Sequence, residues 1–167
     1  TVAQELAETN QLPLRLVGSL YVNKPKDLET AHVRLSVLRD TYNHELFSIT
    51  TLKLSLDGTV EAKTAVTLDP YIAPEGHEAA PLLPDEQVFN AVYEAYSLGF
   101  DLHLHAIGDV AVRTALDAVE AGQQAHPTAD VRATSCHIEV VDAADIERFG
   151  DLGVVAQTTP TWFEYDE

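Results

Sequence analysis

The sequence predicts an α/β domain in which largely apolar strands alternate with amphipathic helices around a parallel sheet. Three observations predict it. Runs rich in strand formers recur at intervals of about 30 residues, the spacing of βαβ units. Each is followed by a stretch whose apolar residues return every three or four positions. Lysine and histidine fall near the carboxyl ends of three of the runs, where open sheets and barrels of this class place their ligands. A chain of 167 residues with 46% hydrophobic content can bury one core, so residues 1–167 are expected to form a single domain.

Residues 1–11 put Val2, Ala3, Leu6 and Ala7 on one helical face with no visible N-cap, as if a helix had been cut into. Leu12 to Val22 is nearly continuous in apolar character and predicts the first strand. From Asp27, the recurrence of Leu28, Ala31, Leu35, Leu38 and Tyr42 predicts one helix with a buried stripe. The second strand, Leu46 to Leu56, alternates Leu52, Leu54 and Leu56 with Thr51, Lys53 and Ser55. Lysine on a half-buried strand needs a partner or a chemical change, unless the strand is an edge with its lysine in water.

Asp57 to Leu83 shows no periodicity and contains Asp69-Pro70-Tyr71 and Pro74-Glu75-Gly76; loops this long in compact domains are usually functional or disordered. Pro84-Asp85-Glu86 opens a helix carrying Val88, Ala91, Val92, Ala95 and Leu98, and Gly99 closes it. The third strand is Leu102-His103-Leu104-His105-Ala106, with both imidazoles on one face; Gly108 breaks it, and Asp109 is placed to cap a helix running to Gln124. The fourth strand spans Val131 to Val140. Alternation there sets Cys136 against the helices and His137 inward. Asp142 caps a short helix with Ile146, Phe149 and Leu152 inward, and Val154 to Phe163 reads as a fifth strand.

Two architectures accommodate this order. An open doubly wound sheet is complete with five strands, whereas a (β/α)8 TIM barrel needs eight and about 250 residues. In either, Lys53, His105 and His137 converge on one side of the sheet.

Composition narrows the function. Ten Lys and Arg against 27 Asp and Glu leave a net charge of −17, which disfavours nucleic acid and anionic membranes. The single cysteine rules out an internal disulfide framework or a cysteine-rich zinc module. No apolar run is long enough to span a bilayer and no leader pattern opens the chain, so the cytoplasm is the favoured compartment. Glycine-rich phosphate loops are missing. His32, His44, His77 and His126 read as ordinary structural histidines, and a Cys136 nucleophile is disfavoured by the face assigned to it.

Lys53, His105 and His137, with their surroundings, resemble the amidohydrolase superfamily, specifically its amidohydrolase-3 group of YtcJ-like proteins and N-substituted formamide deformylases. Lys53 to Gly58, Thr64-Ala65 and Pro70-Tyr71 resemble that group's lysine strand and the loop beyond it; His105 to Asp109 resembles its His-Ala-Ile-Gly-Asp segment; Asp142 to Val154 and Pro160-Thr161-Trp162 resemble the stretch after its next histidine. The resemblance implies a partial (β/α)8 barrel with about five of eight strands, a central portion lacking the first two and the last. It implies hydrolysis of amide or related C–N bonds other than peptide bonds in small molecules, with one or two divalent ions, zinc foremost. Lys53, carboxylated to a carbamate, and His105 and His137 are the implied metal ligands. His103, Asp57, Tyr71 and Trp162 are implied supporting or substrate-contacting residues, His103 by hydrogen bonding within the barrel.

The resemblance also implies missing parts, a first-strand His-x-His pair and a last-strand aspartate. The chain by itself is therefore expected to bind zinc weakly or not at all, to show no turnover, and to self-associate through its open edges. The rival reading is a non-catalytic five-stranded open α/β binding or regulatory module in which the histidines are structural.

Overall fold

The computed structural model describes residues 1–72 and 76–163, the last two of these by backbone alone. Pro74 and Glu75 of the long loop lie outside the described residues. Helix α1 (Val2–Glu8) has the N-cap that the sequence did not reveal: the Thr1 hydroxyl accepts from the Gln4 amide. Strand β1 (Leu16–Val22) begins four residues later than expected. It starts where the Leu16 amide first donates to the Leu46 carbonyl; before it, Pro13 has no N–H to give a ladder. The expected single helix from Asp27 is two, α2 (Pro25–Leu28) and α3 (Ala31–Thr41).

A two-residue strand β2 (Asn43–His44) folds back antiparallel on β3 (Phe47–Ser55). The chain then runs through the long loop to α4 (Asp85–Leu98), β4 (Asp101–Ala106), α5 (Asp109–Ala125), β5 (Ala133–His137), α6 (Ala143–Asp151) and β6 (Val155–Thr158). A 3-10 turn, Pro160–Phe163, replaces the second half of the expected fifth strand, since proline cannot donate to a ladder. The principal strands lie in the order β1-β3-β4-β5-β6, and every pairing along that path is parallel.

One face of the sheet carries Leu52, Leu54, Leu102 and Leu104. These pack with Leu35, Val88, Val92, Val112 and Leu116 of the covering helices into one buried cluster. This explains the leucine-rich alternation: the helix side is the core. Polar residues occupy the opposite face. Helix α6 turns Phe149 and Leu152 to the core as expected, but Ile146 is 56% exposed and Asp145 is buried. Among the described residues, no helix is long and apolar enough to cross a membrane.

Candidate metal centre

Parallel pairing sets the site. Lys53 stands opposite His103, and His103 opposite Thr134; Ser55 stands opposite His105, and His105 opposite Cys136. The carboxyl ends of β3, β4 and β5 therefore lie at one edge of the sheet. The register also overturns the expected face of Cys136. Its side chain shares the face of His105, and Lys53 Nζ donates to Cys136 Sγ at 2.8 Å. The strand parity of His137, opposite Ala106, would send it to the helix side. Left-handed backbone at His137 (φ 83°) and Ile138 (φ 50°) ends the strand at that point. The His137 ring nonetheless lies edge-on to that of His105, centroids 4.7 Å apart at 63°. The expected inward direction of His137 thus comes from a break in the strand, not from alternation.

His105 is held from the other side. Its Nε2 donates to the Gly58 carbonyl at 3.0 Å and stands 3.6 Å from Asp57 Oδ1. Asp57 is wholly buried. Its Oδ1 accepts from the Ile107 amide (3.0 Å) and its Oδ2 from the amides of Gly108 (2.8 Å) and Val66 (3.1 Å). One carboxylate thereby ties the end of β3, the turn after His105 and the long loop together. The Asp109 carboxylate does not cap the helix from outside as expected. It lies in the first turn, with Gly108 at the cap position, and accepts from Leu68 N at 2.8 Å and Val110 N at 3.0 Å.

The electrostatics disfavour the charged form of two of the imidazoles, His137 and His103. Burial foremost, then His105, Lys53 and His103, pushes His137 down to about 4. His103 is also lowered, by burial and then by Lys53 and His105. The Nε2 of His103 is buried without a hydrogen-bond partner among the described residues, so the hydrogen bonding expected of it is absent at that atom. Burial raises the Cys136 thiol, against the opposing pull of Lys53. It also raises Asp57, against the three amides and the His105 charge.

Tyr71 is not in the imidazole group; its hydroxyl donates to the Ala65 carbonyl at 2.9 Å and staples the long loop to itself. Trp162 belongs to the 3-10 turn, and its side chain lies outside the described residues. The sequence reading missed the Gly58 carbonyl and Glu139. Glu139 is raised by burial and by the charges of Glu61 and Asp57, so the neighbourhood is acidic. The Asp57-Gly58 dipeptide was the available signal for the carbonyl, because its turn brings the backbone back over the strand ends.

Among the described residues, no group of three or more His, Cys, Asp and Glu side chains is arranged to hold a metal ion. The donor chemistry nevertheless fits one in part. His105 and His137 lie side by side, and His137 is held neutral, the form in which imidazole ligates. Lys53 as an ammonium would repel a cation; as a carbamate it would offer oxygens.

Parallel βα units with imidazoles gathered at the carboxyl ends of neighbouring strands define part of a (β/α)8 barrel. Two solved structures share the architecture. An uncharacterized metal-dependent hydrolase from Pyrococcus horikoshii superposes with a TM-score of 0.74 at 24% identity, over 95% of this chain and 30% of that one. Another from Pyrococcus furiosus gives 0.72 at 26%, over 95% and 31%. A profile described as the amidohydrolase family matches residues 1–166, and the chain belongs to that family. Its relatives include the exoenzymes regulatory protein AepA of Pectobacterium carotovorum, 30% identical over 97% of this chain and 35% of that protein. The putative amidohydrolase YtcJ of Bacillus subtilis is 27% identical over 69% and 21%. The chain thus spans about a third of the length of AepA.

Proposed function

We propose that the intact protein is a metal-dependent hydrolase of amide or related C–N bonds, other than peptide bonds, in small molecules. The ion, zinc foremost, would be held by His105, His137 and Lys53, the lysine as its carbamate. The observation that carries this reading is the edge-on His105–His137 pair at adjacent strand ends, with His137 held to about 4 and so neutral at pH 7. Family membership over residues 1–166 supports it.

A divalent ion, if held there by His105, His137 and the Lys53 carbamate, would supply a lowered pKa for bound water and polarisation of a substrate carbonyl. The residues of this chain prepare for that chemistry. His137 presents an uncharged imidazole, Asp57 and Gly58 hold the His105 ring, and the loop anchored on Asp57 and Asp109 walls one side of the strand ends. The family resemblance implies a proton-handling aspartate on a last barrel strand that residues 1–167 do not match, so the chain by itself is expected to give no turnover. The net charge of −17 further supports a small-molecule substrate over nucleic acid.

The test is metal content and hydrolysis of a panel of small amides by the intact protein. His105→Ala and His137→Ala should each lose bound zinc and most of the turnover. Full activity in both variants, or in wild type stripped of metal with a chelator, would refute the assignment.

A further inference from the structure

We propose that Asp57 is a positioning residue that fixes the tautomer of His105, so that Nδ1 is the nitrogen offered to a ligand. The use of Nδ1 for metal rests on the hydrolase reading; the tautomer itself does not. A carbonyl oxygen only accepts, so the 3.0 Å contact between His105 Nε2 and Gly58 O requires the proton to sit on Nε2. In the neutral ring the lone pair is then on Nδ1. Metal-binding histidines ordinarily donate their other nitrogen in this way, to a carboxylate or a backbone carbonyl.

The carbonyl is where it is because of Asp57. The residue before Gly58 is wholly buried, and its carboxylate takes three backbone amides from two different segments. Two of those amides, Ile107 and Gly108, lie two and three residues beyond His105. The same carboxylate therefore fixes both ends of the His105–Gly58 hydrogen bond, the ring through its own strand end and the carbonyl through its neighbour. Contact is close enough that a Cβ on Gly108 would meet the Val66 carbonyl oxygen at 2.1 Å. Nothing in this arrangement touches a reacting atom, which makes the role one of orientation.

Asparagine cannot replace the carboxylate. It has one acceptor oxygen where three amides converge, and its NH2 would face at least one of them. Imidazole nitrogen shifts of protein labelled with 15N-histidine test the idea in the intact protein without metal. Wild-type His105 should show a single tautomer protonated at Nε2. Asp57→Asn should show a mixture of tautomers at His105, faster amide exchange over residues 105–110, and zinc affinity lower by about tenfold to a hundredfold. His105 protonated at Nδ1 in the wild type would overturn the proposal whether or not the variant folds. So would an unchanged tautomer in Asp57→Asn, since faster exchange alone is what a purely structural role produces. If the wild type shows the Nε2–H tautomer but binds no zinc, the positioning stands and the hydrolase reading fails.

Discussion

Gly108 is the residue on which the geometry around His105 is least forgiving. Its φ is ordinary, so the requirement is space: the Val66 carbonyl oxygen lies 2.1 Å from where a Cβ would be. Gly108→Ala should therefore force the long loop off the turn and cost about 2 kcal/mol, within the range for overpacked sites. A lowered midpoint in urea, with faster amide exchange over residues 57–72, is the expected result. An unchanged midpoint would mean that the loop is not clamped there. His105 was legible in the sequence because alternation and a following glycine place it at the end of one polar strand face. The inward direction of His137 was expected from a parity that fails, because positive φ at His137 and Ile138 interrupts the strand. No local pattern announces such a break at two non-glycine residues. Nor does any local pattern show that Asp57 collects three amides, since two of them lie some fifty residues away.

Among the elements, α6 shows how a polar residue can take an inward place expected of an apolar one: Phe149 and Leu152 pack against the core, but Asp145 is buried and Ile146 is not. Asp145 is 2% exposed and accepts from Arg113 Nε and Arg148 Nη1, each at 2.9 Å. Arg148 also reaches Asp117 and Glu120 of α5 at 2.6 and 2.9 Å. This clamp, rather than Ile146, orients α6, and the periodicity of hydrophobic residues could not reveal it. Asp145→Ala should cost about 2 to 3 kcal/mol, below the full value for a buried pair because both arginines are partly solvated. Equal urea midpoints for wild type and variant would mean that the clamp does not hold the helix.

Asp142 caps α6 by accepting from the Ala144 amide, which, with Arg113, holds its carboxyl below the usual carboxylate range. A depressed carboxyl stabilises above its unfolded value and ceases to as pH falls through the folded one. Asp142→Asn should therefore flatten the acid limb of the stability curve below about pH 4. An acid limb of the same slope in both proteins would contradict the cap's contribution. The shortened last strand has a simpler source, its end being set by Pro160; Pro25 sets only the start of α2, and the break at Glu29–Thr30 that splits the expected 27–42 helix has no proline behind it.

The whole molecule is an open arc of a barrel. Among the described residues, strands β1 and β6 each pair on one side only along the sheet path, and Val17, Tyr21 and Val155 on them are 49%, 55% and 55% exposed. Open parallel edges invite pairing, so the 167-residue chain alone should self-associate. Sedimentation velocity at rising concentration reads this directly, and a constant monomeric coefficient would contradict it. The alternation of strands and helices was legible from end to end because helix-side leucines carry a clear period on each strand. The choice between an open sheet and a partial barrel was not, since both share the same local pattern and differ only in the strands that lie beyond the edges.

The central claim is that His105 and His137, with Lys53, are ligands of one metal centre. A crystal structure of the intact protein soaked in zinc, with anomalous data collected at the zinc edge, tests it most directly. The expected result is an anomalous peak within coordination distance of both imidazoles, His105 ligating through Nδ1, and carbamate density on Lys53. An anomalous map with no peak at these strand ends, or with zinc bound only elsewhere, would contradict it.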